Sequence, residues 1–220
     1  MSFDIGLIWS RMPDILGGFG LTLVIWLVGC LAGIALGFLV AVLRRNVAGL
    51  NIPLAAWMEV TRGTPFLIQL FLLYFGGPFI GLSLEPITAG LLGFTLYGAA
   101  YFSEIFRAGF AAVPRGHIEA GECLGLSQGQ IMRRIIVPEM AVLVLPALVN
   151  MIVLLLKETA VLSIITVPEL TMMISAIGSE NFVFVESLFL LALFYWAMVE
   201  IAGWLGRQAE VKLASFRPAT

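Results

Sequence analysis

The amino-acid sequence predicts an all-α integral membrane protein with five transmembrane helices. Composition is the first reason: 60% of the 220 residues are hydrophobic and 12% are charged, against about 45–50% and 25% in soluble domains. With 12 basic and 14 acidic groups there is too little charge to coat a globule of this size, and the mean hydropathy is +1.04. The second reason is a series of five stretches with little or no charge: 15–43, 63–84, 86–103, 140–156, and 187–206, the last broken only by Glu200. A spanning helix needs about 20 mostly apolar residues. The third is that none of these stretches alternates with period two, which excludes barrel strands and leaves helices to satisfy the backbone in lipid.

The predicted spans are about 15–43, 53–76, 86–112, 138–158 and 187–206, within one domain covering 1–220. Span one is too long for a signal-peptide core and has no cleavage site, so it is expected to stay. It carries Gly29, Gly33 and Gly37, two overlapping small-xxx-small spacings of the kind that let helices approach closely in lipid. Before it, Phe3 to Arg11 reads as an amphipathic helix on the outer surface. Between spans three and four lies the longest polar stretch, 114–136. Pro114 favours a helix start there. Ile118, Ala120, Cys123 and Leu124 alternate with Glu119 and Glu122 as one short amphipathic helix. Gly125 ends it, and Ser127 with Gln130 matches a capping box for a second. Such a helix–glycine–helix presents a compact knob to the cytosol. The segment from Thr159 to Glu186, with Pro168, is too short and interrupted to span and is expected to fold back on the bundle near the outer face.

Basic residues set the orientation. Arg44 and Arg45 follow span one, Arg107, Arg115, Arg133 and Arg134 follow span three, and Arg207, Lys212 and Arg217 follow span five; only Arg11 is clearly opposite. By the positive-inside rule those alternate loops are cytoplasmic, with the N-terminus outside and the C-terminus inside. Cys30 and Cys123 fall in a span and a loop and are expected not to pair. With one histidine, His117, and no CxxC, no zinc site of the usual ligands can be assembled.

Charges inside spans are expected to face the interior with a partner or to mark a path. Glu59 and Arg62 of span two and Glu104 and Arg107 of span three gather in the cytoplasmic half, where two acids and two bases cancel. One reading makes them an ion-paired glue, with Arg62 and Arg107 as its bases. The other lets Glu59 or Glu104 also face a substrate path. Tyr97 and Tyr101 share a helical face, as interior packing or as a pocket lining. Lys157 and Glu158 lie near the outer end of span four, either solvated or as a polar rim. Asn150 is about 18 Å along span four from Pro138 by helical rise, near the bilayer middle, with Met151 beside it.

The segment Arg115-Gly-His-Ile-Glu-Ala-Gly-Glu-Cys-Leu-Gly-Leu126 resembles the EAA loop of ABC importer permeases. In that family this loop is the coupling helix that docks in a groove of the ATP-binding subunit. Glu119, Ala120 and Gly125 match its motif, while Gly121 stands where alanine is usual and His117 where glutamine is usual. Glu59-Val-Thr-Arg-Gly-Thr-Pro-Phe-Leu-Ile-Gln69, Ala100-Tyr-Phe-Ser-Glu-Ile-Phe-Arg107, Val113-Pro-Arg-Gly116, Leu145-Pro-Ala-Leu-Val-Asn150, Leu156-Lys-Glu-Thr-Ala-Val-Leu-Ser163 and Val167-Pro-Glu-Leu170 resemble, in order, further signatures of the polar amino-acid branch. The match covers about 18–206 and is nearest to the five-helix permeases of glutamine, histidine, arginine and cystine importers.

The resemblance implies the type I importer permease fold, coupling through Glu119, Ala120, Gly121, Glu122 and Gly125, and uptake of a polar amino acid by alternating access. It also implies partners: two ATPase subunits holding ATP and Mg, a second permease chain, identical or paralogous, and an extracytoplasmic binding protein, in a prokaryotic cytoplasmic membrane. The substrate path would draw on Glu59, Tyr101, Glu104, Asn150, Met151 and Glu158. Because Met151 offers no acidic contact, an uncharged or acidic substrate is favoured over arginine or lysine. No Walker A loop, catalytic triad or metal set is present in the sequence, so the chain is expected to bind no cofactor and hydrolyse nothing alone. Alternatives are an importer of an opine or compatible solute, a channel or ion-coupled carrier using the buried charges, and a membrane hydrolase with Ser103 and Glu104 as dyad, which would lack a base.

Overall fold

The computed structural model describes residues 5–214, and every regular element among them is helical. Phe3 and Asp4, where the sequence predicts the start of a surface helix, and Arg217 of the tail lie outside the described residues. In chain order the helices are α1 (Ile5–Ser10), α2 (Met12–Asn46), α3 (Ala48–Gly63), α4 (Phe66–Phe71), α5 (Pro86–Ala112), α6 (Arg115–Cys123), α7 (Gln128–Ile131), α8 (Val137–Glu158), α9 (Leu170–Asn181) and α10 (Phe184–Ala214). A π turn, Met132–Ile136, joins α7 to α8, and a tight 3-10 turn, Thr159–Ile165, leads on towards α9.

Three helical runs are long and apolar enough to cross a membrane: Met12–Asn46, Gln128–Ile165 and Phe184–Lys212. The second predicted span is not one straight helix. Gly49–Gly63 and Phe66–Ile80 meet at a bend of 110°. The cause is local: Pro65 cannot donate in a helix ladder, and it drives Thr64 to an extended backbone (φ −118°, ψ 143°). Glu59 and Arg62 both lie on the first arm, before the bend. The third predicted span is α5, 27 residues and about 40 Å long by helical rise. It is not among the three runs above, and it carries the tyrosines, Glu104 and Arg107.

The core is organised around α5. Phe94, Ala99, Ala100, Phe102 and Ser103 are fully buried, and α2 lies along them, running parallel. At Gly29 a methyl group would run into the Phe94 ring, and at Gly37 it would sit 2.9 Å from the Ala99 carbonyl oxygen and the Ser103 backbone nitrogen. The two backbones touch at that point, which is what the glycine spacing in α2 permits. Gly33, between them, has its nearest neighbours at 3.4 Å. Further along the same contact, the Arg45 guanidinium lies 5.3 Å over the Phe110 ring.

The segment after α8 folds back. Leu162, Ile165, Val167 and Leu170 are all fully buried, and a polar knot lies among them. Glu169 caps α9, accepting from the Met172 N–H at 2.9 Å, and is itself fully buried. Its other oxygen lies 3.3 Å from the Thr22 and Tyr195 hydroxyls. The Thr22 hydroxyl also accepts from the Leu170 N–H at 3.0 Å. Burial pushes the Glu169 carboxyl above the usual carboxylate range, while its hydrogen bonds from Thr171, Met172 and Tyr195 act the other way. This knot ties α2, α9 and α10 at one end. Helix α10 otherwise stays outside: Leu188, Phe189, Trp196, Ile201, Trp204 and Leu205 are exposed, a surface suited to lipid.

The α2–α5 contact generates a test. Gly37→Ala should lower stability by about 1–3 kcal/mol, since backbone cannot yield as a flexible side chain can. Gly33→Ala should cost much less. Thermal unfolding of both variants in one detergent checks the order; equal midpoints would contradict the contact.

Candidate functional site

Polar groups converge at the end of α5 nearer α6. Glu104 faces three guanidinium groups. Arg107, one turn on, donates from Nε at 2.9 Å and from a terminal nitrogen to the same oxygen. Arg44 of α2 and Arg62 of α3 approach the other oxygen at 3.7 and 3.8 Å. The balance of two acids and two bases expected from sequence is thus replaced by one acid among three bases. Glu59 lies exposed on α3 and has no ion pair among the described residues. Both residues lie on α3 before the bend, and it is Arg62 that reaches Glu104 while Glu59 stays exposed. Arg44, counted from sequence as a loop charge, is instead a largely buried member of the cluster, also bonded to the Met58 sulfur at 3.0 Å.

A cavity of ≈ 400 Å³ opens beside the cluster. One wall is Arg62, Tyr101 and Glu104; the facing wall is Leu143, Val144 and Ala147 of α8. Tyr101 is half-buried, its hydroxyl 3.2 Å from that of Tyr97 and its ring 5.9 Å from the Arg62 guanidinium carbon. Tyr97 is buried and packs on Phe66.

Along α8 an exposed stripe runs from Leu143 through Ala147, Asn150 and Leu154 to Lys157. Asn150 sits one turn beyond the cavity on this stripe, and Glu158 at its far end is half-buried. Met151 does not join them. It is 7% exposed and packs in the chain's own core, because consecutive helical residues point about 100° apart. The paired reading of Asn150 and Met151 as one lining, and the substrate preference drawn from it, fail on that geometry. Ser103, considered with Glu104 as a dyad, is fully buried and its hydroxyl points to the Met58 sulfur at 3.4 Å.

The second cluster of sequence candidates forms a knob beyond the bundle. Helix α6 begins after Pro114 and ends at a turn in which Gly125 adopts φ +73°, a left-handed conformation that favours glycine. The Ser127–Gln130 capping box forms in both directions. The His117 ring nitrogen Nδ1 lies 2.8 Å from a Glu139 carboxylate oxygen, tying the first turn of α6 to the first turn of α8. The apolar face of α6 is divided otherwise than its sequence predicts. Ile118 and Gly121 turn inward, while Ala120, Cys123 and Leu124 face out with Glu119 and Glu122, Leu124 being 80% exposed. Gly121 is glycine for a packing reason: a methyl group there would sit 2.7 Å from Ile135 and 3.2 Å from Ile131. Among the described residues no group of three or more His, Cys, Asp or Glu side chains could hold a metal ion, and Cys30 and Cys123 are both free.

Residues 33–213 match the family model described as binding-protein-dependent transport system inner membrane component. The chain is 38% identical to the probable amino-acid ABC transporter permease protein YckA of Bacillus subtilis, across 97% of this chain and 95% of that protein. It is 31% identical to the arginine transport system permease protein ArtQ of the same organism, across 98% and 99%. Among solved structures, a chain of an amino acid ABC transporter crystallised with histidines superposes with a TM-score of 0.89 at 30% identity, covering 96% of this chain and 100% of that one.

Proposed function

The chain belongs to the family of binding-protein-dependent transport system inner membrane components and is an amino-acid ABC transporter permease with the type I importer fold; from this we propose how its parts divide the work. The substrate is a polar amino acid delivered by an extracytoplasmic binding protein. The path runs along the face shared by α5 and α8, with Asn150 near its middle, Glu158 at its outer rim, and Tyr101 and Glu104 toward the cytoplasm. Glu59 stays in this proposal as an exposed acid beside the cytoplasmic mouth. A second permease chain, identical or paralogous, covers that face. What supports this reading is polarity: the exposed stripe of α8 carries Asn150 and Lys157 and borders a cavity with Arg62 and Glu104, whereas α10 turns Leu, Phe and Trp outward.

Energy comes from two separate ATPase subunits that hold ATP and Mg; this chain binds no cofactor and hydrolyses nothing itself. Coupling runs through the knob. Glu119, Ala120, Glu122 and Leu124 face outward for a groove in the ATPase, and Gly121 and Gly125 hold the knob's shape. The observation that carries this is the left-handed turn at Gly125 behind an outward face that mixes acids with apolar groups. Alternating access then follows, because the His117–Glu139 contact joins the knob to α8, the wall of the path, and Gly121 packs on the π turn that leads into it. The membrane is the cytoplasmic membrane of a prokaryote, with the N-terminus outside and the C-terminus in the cytoplasm.

Gly125→Val forces a β-branched residue into a left-handed backbone, at roughly 1–2 kcal/mol. We expect the chain to insert and assemble while substrate transported per ATP hydrolysed falls about tenfold. Gly129→Ala, with open space around it, should leave that ratio unchanged. Undiminished coupling in Gly125→Val would remove the knob from the mechanism. For the orientation, Gln128→Cys and Glu180→Cys in a chain lacking Cys30 and Cys123 should react with an impermeant thiol reagent from the cytoplasmic and outer sides respectively. Reaction from the reverse side at either position would refute it.

A further inference from the structure

The three arginines around Glu104 are not equally committed. Arg107 is held through two nitrogens. Arg44 is 14% exposed and also engages Met58 and lies 3.4 Å from Asn51. Arg62 is 41% exposed, its one ion pair spans 3.8 Å, and its other neighbour is the face of Tyr101 at 5.9 Å. It is also the arginine that lines the cavity. Three guanidinium groups on one carboxylate leave an excess of two positive charges beside a largely apolar wall. Positive charge so placed is costly until an anion meets it, and a guanidinium is shaped to take a carboxylate through two parallel hydrogen bonds.

The carboxylate facing Arg62 is equally divided. One oxygen of Glu104 is saturated by Arg107. The other is met only by the long contacts from Arg44 and Arg62 and keeps capacity for a further donor. A molecule carrying an ammonium and a carboxylate on one carbon atom can therefore enter between Arg62 and Glu104 and turn one long ion pair into two short ones. The cavity, at ≈ 400 Å³, falls within the range of small-ligand sites, about 300–1,000 Å³. Apart from Tyr101, whose hydroxyl is engaged with that of Tyr97, its remaining walls, among them Ala108, Val144 and Ala147, offer no hydrogen-bonding side chain. Such a site reads the groups common to all α-amino acids and is indifferent to the side chain.

We propose that Arg62 and Glu104 form a second, side-chain-indifferent amino-acid site in the cytoplasmic half of the path, where the substrate zwitterion opens and bridges their ion pair. The proposal rests on the reading of the chain as an amino-acid permease. It implies that choice among amino acids is made before this point.

The test uses the assembled transporter, nucleotide-free, with Cys30 and Cys123 replaced and Ala108→Cys as reporter in the cavity. The rate of maleimide labelling is measured with glycine, with glycinamide, which lacks the carboxylate, and with N-acetylglycine, which lacks the ammonium. Glycine at saturation should slow labelling by roughly fivefold, and each single-charge probe should do far less. Arg62→Gln and Glu104→Gln should each abolish protection by glycine. The probe comparison is made with Arg62 and Glu104 intact, so it stands even where a variant fails to fold. No protection by glycine, equal protection by all three probes, or undiminished protection in a folded Arg62→Gln complex would overturn the site. ATP-driven uptake is measured separately on the same preparation. A complex that transports without glycine protection refutes this site alone; one that shows protection without ATP-driven uptake refutes the permease function and not the site.

Discussion

The fold depends on the contact between the backbones of α2 and α5. At Gly37 there is no room for a methyl group against Ala99 and Ser103, and at Gly29 the Phe94 ring occupies the place of a side chain. In lipid the hydrophobic effect does little to drive helices together, and close packing of small residues takes over. Fixing α5 against α2 sets its register and rotation. That rotation turns Phe94, Phe102 and Ser103 inward and leaves Tyr101 and Glu104 on the open side. The same register places Arg44, seven residues beyond Gly37, against Glu104.

The two ends of the bundle are built differently. At the end nearer α9 the chain closes on itself, with Glu169, Thr22 and Tyr195 tying three helices into a buried knot. Such a knot is costly unless every member is bonded, and among the described residues no buried side-chain nitrogen or oxygen lacks a partner. At the end nearer α6 the charges are half-exposed, Arg62 is only loosely paired, and the cavity opens there. Under the proposed function one end holds its shape and the other rearranges during alternating access.

Local features of the fold were legible in the sequence because their physics is local. The glycine spacing of α2, the start of α6 after Pro114, the turn at Gly125 and the Ser127–Gln130 cap each depend on residues a few positions apart. The bend in the second span also had a local signal, the Thr64–Pro65 pair, but it lay inside an uncharged stretch whose length argued for one helix. The charged cluster was only half legible. Glu104 and Arg107 are neighbours on a helix, whereas Arg44 reaches Glu104 across 60 positions, and nothing in its surroundings separates it from a loop arginine until the register of α2 on α5 is known. Glu59 lies before the bend, on the same helix as Arg62, and only the packing of α3 on its neighbours decides that Arg62 and not Glu59 meets Glu104. Glu169 was visible only as part of a family motif; its partners Thr22 and Tyr195 come from other helices. The outward turn of Leu124 ran against the rule that apolar residues on a short helix face the chain's own core, and that reversal is intelligible if a partner covers them.

In the proposed function a rigid seam carries a polar wall and the knob moves the helix opposite it. The most direct test of that account is uptake of radiolabelled amino acids into vesicles. These would contain the chain with its ATPase subunits, the binding protein outside and ATP inside. The account predicts accumulation above the external concentration with ATP and none with ADP or a non-hydrolysable analogue. Equal uptake under all three conditions would contradict it and point to a passive channel.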